Sequence, residues 1–366
     1  MICRLRRESP SLLSSDSEMG ETAVSLTIEP VTPQAEAEWD DFGRRQTAWT
    51  PYHAYRWSRV ITEVHGHRCF YLGARGEDGT LRGVLPLVEV RSRLFGRYLM
   101  SMPFVNCGGP LGDSESVTAL VEEAVRLSDA HRVDLLELRS PEALPLDLSV
   151  SHRKITVLLD LPKGDAEPLW EGLKAKVRSQ VRRPMKEGVE VRFGADQLGG
   201  FYEVFGRHMR DLGTPVQPRS FFVRLSEAFG EQMWIGCAYL EGQPIAAGVG
   251  FRWADKFELV WASSLREFNR IAPNMLLYWR FFERCVEDGA DIFDFGRCTP
   301  GGRTHRFKSQ WGGRDAQLWW YQHGPKSGVG TPSPDSGPLS LGPRMWRKLP
   351  VPIANMLGPR IVRFIP

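Results

Sequence analysis

Between Gly296 and Gly313 the chain places Arg297, Arg303, His305, Arg306 and Lys308 among Phe307 and Trp311, with Asp294 just upstream. A lysine held against aromatic side chains loses hydration, and that is costly unless it meets an anion or takes part in a reaction. A cationic loop of this kind can bind phosphate or carboxylate, or stabilise charge developing on a carbonyl oxygen. Spacing alone also fits an ordinary helix–strand unit with a solvated loop; it is the composition that points to chemistry. Cys298 lies in the same loop, but no His–Asp arrangement near it in sequence would make it a nucleophile.

The elements that must position these groups are legible immediately upstream. Met275, Tyr278, Trp279, Phe282 and Val286 recur at three- and four-residue steps, which predicts a helix from Asn274 to about Asp288. Asn274, after Pro273, is the expected N-cap, and Gly289 the expected stop. Asp291–Phe295 reads as a short strand, and 296–302 as a turn-rich loop that leads into the basic aromatic segment.

Three motifs in this region, N-x-L-L-Y-W from Asn274, D-G-A-D-x-F-D-F-G-R ending at Arg297 and F-K-x-x-W-G-G from Phe307, resemble the FemAB family of tandem-GNAT-fold transferases. The similarity is strongest to FemAB-like proteins associated with exosortase (PEP-CTERM) and exopolysaccharide clusters, with a BioF2/CelD-like acetyltransferase domain. It runs from about Thr27 to Gln322. The resemblance implies transfer of an acyl or aminoacyl group to an amine or hydroxyl of a cell-envelope or exopolysaccharide precursor, with aminoacyl-tRNA or acyl-CoA as co-substrate and no metal. It implies Lys308 as the catalytic stabiliser of the oxyanion, since the family's lysine of this motif lies in the cleft. Asp294 would orient a cation or accept a proton. Arg297 and Arg303 would bind phosphate or carboxylate, with His305, Asn274 and Thr214 (in a shared G-T-P) also lining the substrate site. Two other readings remain: an acyl-CoA-dependent N-acetyltransferase, and a non-catalytic binding subunit of a polysaccharide assembly system.

Composition narrows the classes. A chain of 366 residues with 42% hydrophobic and 25% charged residues is globular and long enough for two domains. A net charge of +3 is too small for nucleic-acid binding by bulk charge. The six cysteines form no C-x-x-C pair, so a zinc site is not expected and reduced core thiols are. No apolar run is long enough to span a bilayer, and the expected location is cytoplasmic, either free or peripheral to the inner membrane. Residues 1–23 are Ser-rich and basic and read as disordered. Patterned sequence begins only after Met19, a candidate biological start.

Taken in order, the chain repeats itself. In the first half, strands at 68–74 and 81–90 flank Asp78-Gly79, whose pairing predicts a type I′ hairpin. A helix at 117–130 and a strand at 133–138 follow. In the second half the same order appears as strands 233–240, 245–253 and 257–262, the Asn274 helix and the strand to Phe295. Both last strands leave through an arginine, Arg139 and Arg297. This order predicts an α/β (α+β) fold of two tandem GNAT-like domains with mixed, mostly antiparallel sheets flanked by helices. The expected boundaries are 24–150 and 151–322, then a Gly/Ser/Pro-rich linker at 323–344 and a basic amphipathic tail at 345–366. That tail either wraps on the protein body or lies on an anionic membrane surface.

One more cationic element stands out. Arg178 and Arg182 are four residues apart in a predicted helix over 168–186, so they share a face. That face is either simply solvated or a docking surface for a polyanion such as tRNA; the resemblance favours docking. His208 sits on a Phe/Met face and reads as a core histidine. There is no P-loop, G-x-G-x-x-G, H-E-x-x-H or G-x-S-x-G. The segment before Asn274 also lacks the glycines of a pyrophosphate loop, which argues against ordinary acetyl-CoA use.

Overall fold

The computed structural model describes residues 25–92, 95–328 and 341–365. The expectations for residues 1–23 and for most of the 323–344 linker lie outside the described residues. The strands are β1 (Thr27–Pro30), β2 (Arg68–Arg75), β3 (Leu81–Ser92), β4 (Gly96–Met100), β5 (Leu111–Gly112), β6 (Leu135–Ser140), β7 (Ser149–Ser151), β8 (Ile155–Asp160), β9 (Glu190–Phe193), β10 (Met233–Leu240), β11 (Gln243–Trp253), β12 (Lys256–Ser264), β13 (Ile292–Cys298), β14 (Arg314–Gln317) and β15 (Trp319–His323). The helices are α1 (Glu36–Arg44), α2 (Trp57–His65), α3 (Ser114–Ala130), α4 (Glu167–Gly172), α5 (Ala175–Lys186), α6 (Leu198–Leu212), α7 (Arg219–Phe229), α8 (Pro273–Glu287), α9 (Arg303–Ser309), α10 (Leu341–Trp346) and α11 (Val351–Val362).

Two sheets form, and they are copies of one plan. The first runs β1-β2-β3-β4-β6-β15-β7, with β5 beside β3; the second runs β9-β10-β11-β12-β13-β8-β14. Pairing is antiparallel except for one parallel pair in each sheet, β4 with β6 and β12 with β13. A parallel pair needs a crossover, and α3 and α8 supply it. The sheets part between β7 and β8, with one exception. Strand β8 opens the second sheet, between β13 and β14, while β15 follows β14 yet enters the first, between β6 and β7. The second half thus returns its last strand to the first sheet, and Trp319–His323 belong there.

The halves also share a core. Tyr52, Trp57 and Val88 pack in one cluster with Phe201, Phe221, Phe222 and Phe251. A second cluster holds α8 against its sheet through Phe257, Phe281, Phe282, Phe293 and Trp311. Helix α8 is buried almost all round, because its aromatic stripe meets the sheet on one side and α5 on the other.

Local geometry departs from the sequence reading at two points. Gly79 alone in its turn has positive φ, 77°, so the first hairpin is not type I′; the paired positive φ values fall at Glu241 (50°) and Gly242 (81°) in the second. Asn274 is not the N-cap of α8. That position is Ala272, at φ 57°, with Pro273 as the first helical residue. Pro273 has no N–H to be capped, so the side chain of Asn274, one turn position further in, has no capping role. Gly289 does follow the helix with φ 73°.

The tail folds as α10 and α11 against α6. Glycines permit the approach: a Cβ at Gly358 would stand 2.8 Å from Val216 N, and one at Gly206 would stand 2.8 Å from the Asn355 amide. Arg210 Nη1 donates to Leu349 O at 3.2 Å, and His67 Nε2 lies 2.7 Å from Arg363 O.

Candidate active site

Parallel register puts Glu258 of β12 directly beside Asp294 of β13. Glu258 is only 3% exposed, and its carboxylate is held by two donors from the other half of the chain. Tyr52 Oη donates to Oε2 at 2.6 Å, and Asn106 Nδ2 donates to Oε1. Asp294 accepts from Thr156 Oγ1 of the neighbouring strand β8 and from Gly296 N at 2.7 Å. Burial, and then the charge of Asp294, push Glu258 up to about 8, and burial raises Asp294 as well. Two buried carboxyl groups on adjacent strands resist ionising together, so the pair keeps a proton more readily than exposed acids do.

The donors are fixed by local structure. Tyr52 lies in the one-turn helix Pro51–His53, wedged edge-on between Trp57 and Phe251. Thr50 N donates to His53 Nδ1, so Nε2 carries the proton and donates to Gly109 O at 3.0 Å. Burial lowers His53 to about 4, keeping it neutral in this bridge. The bridge ties the Tyr52 turn to the Gly-rich segment bearing Asn106. Gly108, at φ 146°, continues that segment toward β6 with its N–H on Arg139 O at 3.1 Å.

Lys308 enters from α9. The pairing of β13 with β8 slips between Asp294 and Arg297, and this bulge turns the carbonyls of Gly296 and Arg297 away from the ladder. Lys308 Nζ donates to both, at 2.6 and 3.0 Å. At 4% exposure it is buried, and that burial lowers its pKa, while Cys298, Asp294 and Glu258 oppose the shift. Two of its three N–H donors are used.

The repeated arginines converge. Arg297 and Arg139 hold corresponding places in β13 and β6, and both lie over Trp320 of strand β15, at 5.7 and 4.6 Å. Arg139 is neutralised by Glu137 at 2.9 Å, which Gln322 Nε2 also holds at 2.8 Å. Arg297 donates no hydrogen bond to the described residues, and its pKa is lowered to about 10 by burial and by Arg139. The indole N–H of Trp320 is buried without an acceptor. An unpartnered guanidinium and an orphaned donor on one ring form a seat for an anion or a carbonyl oxygen.

Of the residues singled out from sequence, the structure brings together Lys308, Asp294 and Arg297. It does not bring the others to this cluster. Arg303 is exposed in the first turn of α9. His305 pins its loop, taking Gly301 N at 3.0 Å on Nδ1 and facing Asp315 at 2.8 Å through Nε2. Thr214 closes the end of α6, its N–H on Met209 O at 2.9 Å. Asn274 is partly buried at the start of α8. Arg178 caps the end of α4, donating to Glu171 O and Leu173 O at 2.9 and 2.8 Å, which leaves Arg182, stacked on Trp170 at 5.0 Å, as the more available cation of that face. His208, with Nδ1 3.1 Å from Ser264 O, is a bonded, partly buried histidine. Tyr52, Asn106, Glu258, Thr156 and Trp320 were missed. For Glu258 there was a signal: one acid between Phe257 and Leu259, where an alternating strand offers both faces to the core. Among the described residues no group of acids, histidines or cysteines could hold a metal.

Two like sheets, each with one parallel pair, and a last strand that returns to the first sheet define a tandem GNAT fold. Residues 174–309 match the family model described as "Acetyltransferase (GNAT) domain". The crystal structure of FemX superposes with a TM-score of 0.61 at 15% identity, over 81% of this chain and 97% of that one. A tandem GNAT protein from the clavulanic acid biosynthesis pathway superposes with 0.51 at 13% identity, over 82% and 99%. In sequence, the chain is 26% identical over 151 residues to UDP-N-acetylmuramoylpentapeptide-lysine N(6)-alanyltransferase of Weissella viridescens, 39% of this chain and 44% of that protein. The match therefore spans less than half of that relative's length. The chain therefore contains a GNAT acetyltransferase domain and has the fold of FemX and of the tandem GNAT protein.

Proposed function

We propose that the protein transfers an acyl or aminoacyl group to an amine or hydroxyl of a cell-envelope or exopolysaccharide precursor, in the cytoplasm and at the inner membrane. The observation that carries this reading is the ammonium of Lys308, buried and pinned by two carbonyls near the buried carboxyl groups of Asp294 and Glu258. The third N–H of Lys308 is free to stabilise the oxyanion of a tetrahedral intermediate, in a dry setting where such a bond is strong. Asp294, the more open member of the pair, accepts the proton of the attacking amine, and Glu258 beside it favours the protonated form. The carbonyl–oxygen bond then breaks and the leaving 3′-hydroxyl takes a proton back from the pair. Arg297 would hold a phosphate or carboxylate of the acceptor.

Aminoacyl-tRNA is the donor favoured, by likeness to the alanyltransferase and because the turn before α8, Arg266–Phe268 to Ala272, presents no run of glycines to a pyrophosphate. Acetyl-CoA is the competing donor, supported by the acetyltransferase domain match. The exosortase and exopolysaccharide setting follows from the sequence resemblance alone. Calorimetric titration with charged tRNA and with acetyl-CoA, followed by single-turnover transfer to precursors from a bacterial envelope extract, tests the assignment. Transfer from neither donor would refute it.

A further inference from the structure

Six large apolar side chains among the described residues are conspicuously exposed, and four of them gather at one place. Met345 (71%), Met356 (59%) and Ile353 (40%) lie on α10 and α11, and Leu212, whose carbonyl accepts from Arg347, adjoins them. Helix α11 has two faces of apolar character. Ala354, Gly358 and Val362, at four-residue steps, are buried on the protein body. Pro352, Ile353, Met356 and Arg360 face outward. A helix already docked by one apolar stripe has no folding reason to carry a second.

Charge is segregated at the same place. From 341 to 366 there are five cations, Arg344, Arg347, Lys348, Arg360 and Arg363, and no acid. The chain's net charge is +3, so the rest of it carries −2. Arg344, Arg347, Lys348 and Arg360 are exposed around the apolar residues. Asp211, beside the tail at the end of α6, is neutralised by Arg210 at 2.8 Å. Exposed methionines and isoleucine ringed by unpaired cations suit one partner chemistry, an anionic lipid surface, in which apolar groups enter the headgroup boundary while cations meet phosphates.

We propose that α10 and α11 form a membrane-surface element that seats the protein on anionic bilayers, with Met345, Ile353 and Met356 inserted and Arg344, Lys348 and Arg360 over the headgroups. No helix among the described residues is long and apolar enough to cross a membrane, so the attachment is peripheral and reversible by salt. The reaction proposed above would gain from it if its acceptor is carried on lipid. The exposure and charge of the tail are independent of the carboxyl–lysine cluster, and vesicle binding needs no substrate, so either reading can fail alone.

The test is co-sedimentation of the full chain with vesicles of phosphatidylglycerol and phosphatidylcholine, and with phosphatidylcholine alone. Binding is expected to the anionic vesicles only and to fall with salt. Each cation near such a surface contributes roughly five-fold in partitioning, so R344Q/K348Q should bind roughly 25-fold more weakly. M345S/M356S should lose binding at unchanged thermal stability, because both side chains are exposed. Equal binding to both vesicle types, no binding to either, or undiminished binding by both variants would overturn the proposal. So would a dimer, seen by sedimentation equilibrium, that the methionine variant dissociates, since the face would then be an interface between copies.

Discussion

Replacing Glu258 by glutamine should remove a pH dependence of stability that few proteins show. In the folded chain burial and Asp294 hold the proton on Glu258 up to about pH 8, whereas an unfolded glutamate releases it near 4.5. Between those values the folded state binds one proton more than the unfolded state. Stability therefore falls as pH rises, by about 1.4 kcal/mol per unit. Comparison with Glu258→Gln from pH 6.5 to 8 isolates this group, because the buried neutral histidines His53 and His65, at about 4 and 3, act alike in both proteins; an unfolded histidine is still half protonated at 6.5, so their contribution fades only about one unit above it. Across the window the wild type should lose about 1.6 kcal/mol relative to the variant, readable in the urea midpoints at pH 6.5 and 8. Glu258→Gln keeps the shape and can bond Tyr52 and Asn106, yet has no proton to lose, so its midpoint should not fall across the window. Tyr52→Phe removes a donor that favours the charged form, so it should carry the decline further toward alkaline pH. A wild-type midpoint that declines no more than the variant's would refute the proton held on Glu258.

Lys308→Ala should lower single-turnover transfer by roughly 10²–10³-fold with donor binding little changed, as loss of one oxyanion donor does; near wild-type turnover would reject the role. Arg297→Ala should raise KM for the anionic substrate more than it lowers kcat, and Lys at that position should rescue poorly because it lacks the planar fork; steady-state kinetics of the three proteins decides. Below pH 6.5 the sign of the stability slope should reverse. The unfolded chain then protonates His53 and His65 while the folded chain does not, and these two protons outweigh the one of Glu258, so urea midpoints should peak near 6.5. Gly358→Ala should detach the tail, since its Cβ would meet Val216 N at 2.8 Å; limited proteolysis should then cleave α11 while the remainder stays intact.

Much of the repeat was legible because its signals are local. Two hydrophobic hairpins, each followed by a helix and a strand, announce themselves through periods of two and 3.6 residues and through turn glycines. The aromatic stripe of α8 and the lysine between Phe307 and Trp311 are local in the same sense, and both lie where the pattern puts them. Asn274 misled because a capping residue type stood one position after a proline, and the helix begins at the proline itself.

What composition and spacing along the chain decided by themselves was therefore the set of elements, their duplication and the presence of a lysine too apolar in its surroundings to be idle. The fold alone decided which groups that lysine would meet. Glu258 and Asp294 are 36 residues apart and become neighbours only through parallel register; Tyr52 and Asn106 reach them across the contact between halves, Thr156 arrives on the strand that opens the second half, and Trp320 on the strand that returns to the first sheet. Pairing register and that return are set by summed burial over both sheets, an energy to which no short stretch of sequence contributes enough to be read on its own.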